Sequence, residues 1–145
     1  MSKIELSDFA LEDLLPHRGR MLLVSEILEV DSSKARTFCR VDPAWPLAND
    51  QGVDSLVLVE LAAQTAGVCN GWDRIQTKGL DSDRMGWLVG VKKAEFFIES
   101  LPFGATILAS AENTYIFNNL REVSCELRMD DRVIGRATLQ LFQAE

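Results

Sequence analysis

Histidine is nearly absent: His17 stands alone in 145 residues. That excludes histidine-rich metal sites and any mechanism that draws two histidines from one chain. Cysteine is scarce too. Cys39, Cys69 and Cys125 lie far apart with no Cys-x-x-Cys, an odd count that argues for reduced thiols in a cytoplasm. None has an activating neighbour, so all three read as inert. Basic charge is the minority, 15 Lys and Arg against 22 Asp and Glu, for a formal charge of −7. A nucleic-acid binder would need a basic stripe, and an anionic membrane would repel this balance. Long apolar runs are missing: the longest, Leu56 to Val68, is broken by Glu60, Gln64 and Thr65 and is too short to span a bilayer. The opening Met1–Asp8 is polar, without the apolar segment of a secretory leader. The expectation is a cytoplasmic protein without cofactor or metal. Low-complexity segments, repeats and linkers are also lacking, and with 47% hydrophobic residues the chain reads as one folded domain over 1–145.

What is present is a clear order of elements. Ser7 can cap a short helix through Leu15, ended by Pro16. Met21–Val30 and Ala35–Val41 are β-like and joined by the turn-prone Asp31-Ser32-Ser33. Residues 42–54 hold two prolines, a glycine and three aspartates, so an irregular loop is expected. From Ser55 to about Trp72 the chain reads as a helix apolar almost all round, which buries it within the domain. A polar loop over 73–84 follows, and then strands at about 86–98, 105–116, 120–129 and 132–142. Asp130-Asp131 makes the turn between the last two. One long helix with strands before and after it predicts an α+β domain whose sheet wraps the helix.

Glu60 is the residue that elementary chemistry singles out. At helical spacing Glu60, Gln64, Gly67 and Gly71 form a polar and small stripe on a greasy rod. A carboxylate there is paired, protonated, or placed in a cleft for chemistry. On the residues alone, a structurally satisfied glutamate is the favoured reading, and the glycines simply allow close packing of helix and sheet. Asp54 and Ser55 read as helix caps, although amide N–H groups at a helix start can also hold a carbonyl oxygen. His17, in a turn after Pro16, reads as structural or solvated before catalytic. Arg18/Arg20 and Lys92/Lys93 read as solvated charge, able to receive an acidic partner if they frame one opening. Trp45, Trp72 and Trp87 read as packing residues.

Five collinear blocks resemble the hot-dog-fold β-hydroxyacyl-acyl-carrier-protein dehydratases of fatty-acid synthesis. Leu15-Pro-His-Arg-Gly-Arg-Met-Leu-Leu-Val-Ser-Glu-Ile-Leu-Glu29 is similar to that family's LPHRxPxLLVDxVLE. Leu56-Val-Leu-Val-Glu-Leu-Ala-Ala-Gln-Thr-Ala-Gly67 is similar to VLxxEAxAQxAG, and Leu88-Val-Gly-Val-Lys-Lys-Ala-Glu-Phe96 to LAGIDKARF. Pro102–Ile107 fits the PVxPGDxL turn and Val133–Ala137 the GxxVAEA strand. The resemblance implies a hot-dog fold, with an antiparallel sheet wrapped around one long central helix. It makes Glu60 the acid that protonates a departing hydroxyl, Gln64 and Ser55 substrate-binding neighbours, and the helix N-terminus the group that polarises a thioester carbonyl. It reverses the order of the two readings of Glu60.

The departure from the family is equally specific. The family's histidine precedes the acid by fourteen positions, where this chain has Pro46, and Ser55 replaces the glycine at the helix start. The degraded loop Asn49-Asp50-Gln51-Gly52 and the HRGxMLL block resemble the divergent dehydratase-like subunits of aryl-polyene-type pathways, in which an active and a degenerate subunit pair. The implied substrate is an acyl-carrier-protein or CoA thioester. The implied assembly is a homodimer, or a heterodimer in which a His-bearing dehydratase subunit faces Glu60. Asp50, Asp54 and His17 are the candidate substitute bases within the chain. Two other functions stay open: a thioesterase using Glu60 or Asp54 to activate water, and a non-catalytic acyl-chain-binding or stabilising subunit.

Overall fold

The computed structural model of the chain describes residues 11–79 and 86–143. A short α1 (Leu11–Leu14) leads through a 3-10 turn (Gly19–Met21) to β1 (Glu26–Val30) and β2 (Lys34–Arg40). Two brief strands, β3 (Ala48–Asn49) and β4 (Gly52–Asp54), precede the long α2 (Val57–Lys78). Then come β5 (Gly86–Phe96), β6 (Ser100–Leu101), β7 (Thr106–Phe117), β8 (Leu120–Met129) and β9 (Arg132–Gln143). The expected Ser7 cap and the start of the first helix lie outside the described residues.

Six strands form one antiparallel sheet in the order β1-β2-β7-β8-β9-β5. Alternation decides its two faces. Ala35, Thr37 and Cys39 of β2, Ile107, Ala109 and Ala111 of β7, Val123, Cys125 and Leu127 of β8, and Ala137 and Leu139 of β9 point inward and are buried. Against them α2 lays Leu58, Leu61, Ala62, Thr65 and Ala66, all fully buried. The alanines let the helix sit close to the sheet, and the Thr37 and Thr65 hydroxyls satisfy one another at 2.9 Å. Burial pushes all three cysteine thiols up to about 12, in keeping with inert side chains. Truncating Leu139, which is 0% exposed, to alanine is expected to cost about 2–5 kcal/mol of unfolding free energy in denaturant titration, whereas the exposed Lys93→Ala should stay within about 0.5 kcal/mol.

Three expectations need correction. The helix continues past Trp72 to Lys78, because Arg74 and Ile75 are buried, and Gly79 ends it with φ of 92° and an N–H donated to Ile75 O. Polar composition over 73–78 hid one more apolar contact at helical spacing. The region 42–54 is not wholly irregular: β3 and β4 form a hairpin that pairs with β6 in a small second sheet. Gly52 makes this possible, since a Cβ there would collide with Leu101 O of β6. The first long strand starts at Glu26 rather than Met21, because residues 19–23 are bound to α2 instead of to a strand. The Asp130-Asp131 turn is as expected, with φ of 52° and 62°, the two positive values of a type I′ hairpin. Among the described residues no helix is long and apolar enough to cross a membrane.

Candidate active site

Glu60 occupies the first turn of α2, on the side turned away from the sheet. That side is covered along much of its length by the segment running from α1 to β1. Leu14 and Leu15, 2% and 1% exposed, lie over Gly71 and Gly67. The glycine pair therefore admits the N-terminal segment, not the sheet as expected. Pro16 then turns the chain, and Arg18 Nη1 closes the turn by donating to Leu15 O at 2.7 Å and His17 O at 2.8 Å. The turn presents His17 to Glu60, with Nε2 3.0 Å from Oε1.

Gln64 holds both partners of this contact. Its side chain, 0% exposed, accepts the Leu23 N–H at 2.9 Å and donates to Met21 O at 2.7 Å and Glu60 Oε1 at 3.0 Å. All of its amide capacity toward the segment and the acid is used inside the protein. Gln64, expected as a substrate-binding neighbour, holds the segment and the acid here. Glu60 itself remains open, its side chain 35% exposed beside a His17 side chain at 28%. Leu56, Val59 and Ala63 carry the accessible apolar surface of the same helix face.

Burial alone would push the Glu60 carboxyl up; hydrogen bonds from His17 and Gln64, together with the His17 charge, outweigh it and hold the group below its ordinary value of 4.5. His17 Nδ1 is buried and meets no hydrogen-bond partner among the described residues, so Nε2 is the nitrogen through which the imidazole can act. The lowered carboxyl is ionised near neutral pH, so the acid form that general-acid chemistry needs is the minor one in the free protein. Because the folded carboxyl titrates below its unfolded counterpart, the ionised group stabilises the fold above pH 4.5 and ceases to do so as pH falls through the lowered value. The wild-type chain should therefore melt slightly above Glu60→Gln at neutral pH, and thermal scans should show the two curves converging in acid.

The other candidates are placed elsewhere. Asp54 is exposed, and its Oδ1 accepts the Leu56 N–H at 2.9 Å in a turn at the entry to α2. Asp50 is exposed in the turn between β3 and β4. The Ser55 N–H, expected to receive a thioester carbonyl, donates to Glu99 O at 3.1 Å, because β4 and β6 bring that carbonyl against the helix start. The Leu58 and Val59 amides close the first turn on Ser55 O and Leu56 O. Val57, 2% exposed, opens the helix between them. Glu99 carried no signal in the sequence, since it belongs to no spaced motif. Trp45 is buried as expected and Trp72 packs beside Val68 and Ile75; the Trp87 side chain lies outside the described residues. Lys92 and Lys93 pair with Glu122 and Glu95 on the exposed face. Among the described residues no group of three or more His, Cys, Asp or Glu side chains could hold a metal ion.

The family model described as ApeP-like, ApeP dehydratase, matches residues 9–145. No curated protein matches the chain. Among solved structures, the chain is similar to the dehydratase heterocomplex ApeI:P from Xenorhabdus doucetiae, at 20% identity with a TM-score of 0.84, covering 94% of this chain and 92% of that one. It is also similar to Cj0977, a sigma28-regulated virulence protein from Campylobacter jejuni, at 17% identity and a TM-score of 0.70, covering 93% and 87% of the two chains. A hypothetical thioesterase protein with coenzyme A from Streptococcus pneumoniae matches at 14% identity and a TM-score of 0.60, over 81% and 83%. Likeness at these identities is a likeness of fold, and that fold is the hot-dog domain.

Proposed function

This chain belongs to the ApeP-like dehydratase family, and we propose that it removes water from 3-hydroxyacyl thioesters at a site built on His17 and Glu60. The observation that carries this reading is the 3.0 Å contact between His17 Nε2 and Glu60 Oε1. Once substrate opens this contact, an unprotonated Nε2 takes a proton from the carbon next to the thioester carbonyl. The C–H electrons form the new carbon–carbon double bond as the C–O bond breaks, and the hydroxyl leaves as water with the Glu60 proton. The positive end of the α2 dipole, one turn from Glu60, polarises the carbonyl, which makes that first proton acidic. Turnover ends with the proton on His17 and an ionised Glu60, the form that the lowered carboxyl favours, and the proton must pass back to Glu60 for the next cycle. His17 thus fills, from a different segment, the place of the base missing at Pro46. Carrier-protein or CoA thioesters of an aryl-polyene-type or related fatty-acid-like pathway are the substrate class.

The proposed assembly follows from β5. In the six-stranded sheet this strand pairs with β9 alone, and Leu88, Val89 and Val91 on it are 42%, 57% and 44% exposed. An apolar edge strand of this length calls for a covering strand. A second hot-dog dehydratase subunit supplies one, and the similar ApeI:P structure is a heterocomplex of dehydratases. This favours a second reading, in which a histidine from the partner also serves Glu60.

The test is 3-hydroxyacyl-thioester dehydration by the purified chain, alone and mixed with a histidine-bearing hot-dog dehydratase. Turnover by the chain alone, lost with His17→Ala, supports the pair. Turnover that needs the partner and survives His17→Ala moves the base to the partner. Thioester hydrolysis without dehydration overturns the dehydratase reading.

A further inference from the structure

We infer that residues 14–23 form a strap whose seat on Gly71 and clamp at Gln64 set the His17–Glu60 contact, which makes Gly71 and Gln64 positioning residues. The inference deepens the proposed acid–base pair and rests on it for its consequence in catalysis.

The strap is held to α2 at both ends of the histidine turn. On the N-terminal side, Leu14 and Leu15 are buried against the helix. On the C-terminal side, the Gln64 amide takes Met21 O and Leu23 N, the two backbone groups that a strand partner would otherwise satisfy. Between these anchors lies the turn at 16–20, closed on itself by Arg18, and it carries His17. Glu60 is tied to the same amide, so a single side chain fixes the acid and the route of the strap that brings the base.

The two glycines under the strap are unequal. A Cβ on Gly67 would meet Leu15 Cδ2 at 2.7 Å, the far end of a flexible side chain that can turn away. A Cβ on Gly71 would meet Leu14 O at 2.6 Å, with Leu14 C and Cα at 3.3 Å, so backbone must shift. Alanine is otherwise a better helix former than glycine, which removes helix propensity as a reason for loss. Gly71 lies three turns beyond Glu60, about 16 Å along α2 at about 1.5 Å per residue. Its effect on the pair can therefore reach it only through the strap.

The lone histidine provides the readout. In chain labelled with 15N-histidine, every imidazole signal belongs to His17, and Glu60→Ala supplies the uncoupled reference. Gly71→Ala is expected to move the His17 signals toward that reference and to lower dehydration kcat by about 10²-fold with KM little changed. Gly67→Ala should leave both near wild type. Ile107→Val, a buried change away from the strap, controls for lost stability. A coupled His17 in folded Gly71→Ala overturns the inference. If Gly71→Ala does not fold, the wild-type chain decides: as denaturant rises, the His17–Glu60 signature must vanish together with hydrogen-exchange protection of the Leu23 amide. A signature that outlasts that protection overturns the strap. These signals read the geometry whatever reaction the chain catalyses, so loss of the dehydratase reading would leave the strap separately tested.

Discussion

His17→Ala is expected to lower dehydration of a 3-hydroxyacyl thioester by about 10²–10⁴-fold, the usual cost of a general base. The fold should survive, because the turn around residue 17 is closed by Arg18 on the Leu15 and His17 carbonyls and by Gln64 on Met21 and Leu23. None of these contacts uses the imidazole. Asp50→Asn and Asp54→Asn separate the alternatives. Asp50 is exposed in the β3–β4 turn, and asparagine at position 54 still offers the Leu56 amide an oxygen, so both variants should keep wild-type turnover. Partial recovery of His17→Ala by added imidazole would locate the loss at the ring. Full activity in His17→Ala, with loss in Asp50→Asn or Asp54→Asn, would reassign the base.

Why His17 was hard to read in the sequence has a physical answer. Its local signals, a proline before and an arginine after, describe a turn. What makes it a partner of Glu60 is a contact across 43 residues, from position 17 to position 60, set by how the strap crosses α2. No periodicity carries that distance. Glu60 was legible because a carboxylate on an apolar helix breaks a pattern, and the pattern is local. Gln64, Gly67 and Gly71 stood out for the same reason, yet their partners did not: the amide serves the backbone at 21 and 23, and the glycines receive leucines 14 and 15 rather than the sheet. Most of the large sheet was legible, since β2, the first half of β7 and β8 alternate and their turn residues fit, whereas β1 shows no such alternation. The strands of the small sheet are two or three residues long, too short to show any alternation.

Glu60→Gln should abolish turnover, by about 10²–10⁴-fold, while leaving the fold nearly intact. Both hydrogen bonds to the wild-type carboxylate end on the same oxygen: His17 Nε2 and Gln64 Nε2 each lie 3.0 Å from Oε1. A glutamine side chain can place its carbonyl oxygen there and turn its NH₂ toward the open side, where 35% of the side chain is exposed. No buried donor then loses its acceptor, so the desolvation penalty of an unpaired group does not arise. What disappears is the proton that the leaving hydroxyl needs, because an amide does not act as an acid near neutral pH. Glu60→Ala removes the acceptor as well and leaves the Gln64 amide, at 0% exposure, one bond short. It should therefore lose stability as well as activity, by about 1–3 kcal/mol in denaturant titration. The two variants together distinguish chemistry from structure. Equal loss of activity with unequal loss of stability is the expected pattern. A Glu60→Gln chain that melts far below wild type yet still dehydrates would show the carboxylate to be a structural partner, and the acid would have to be sought elsewhere.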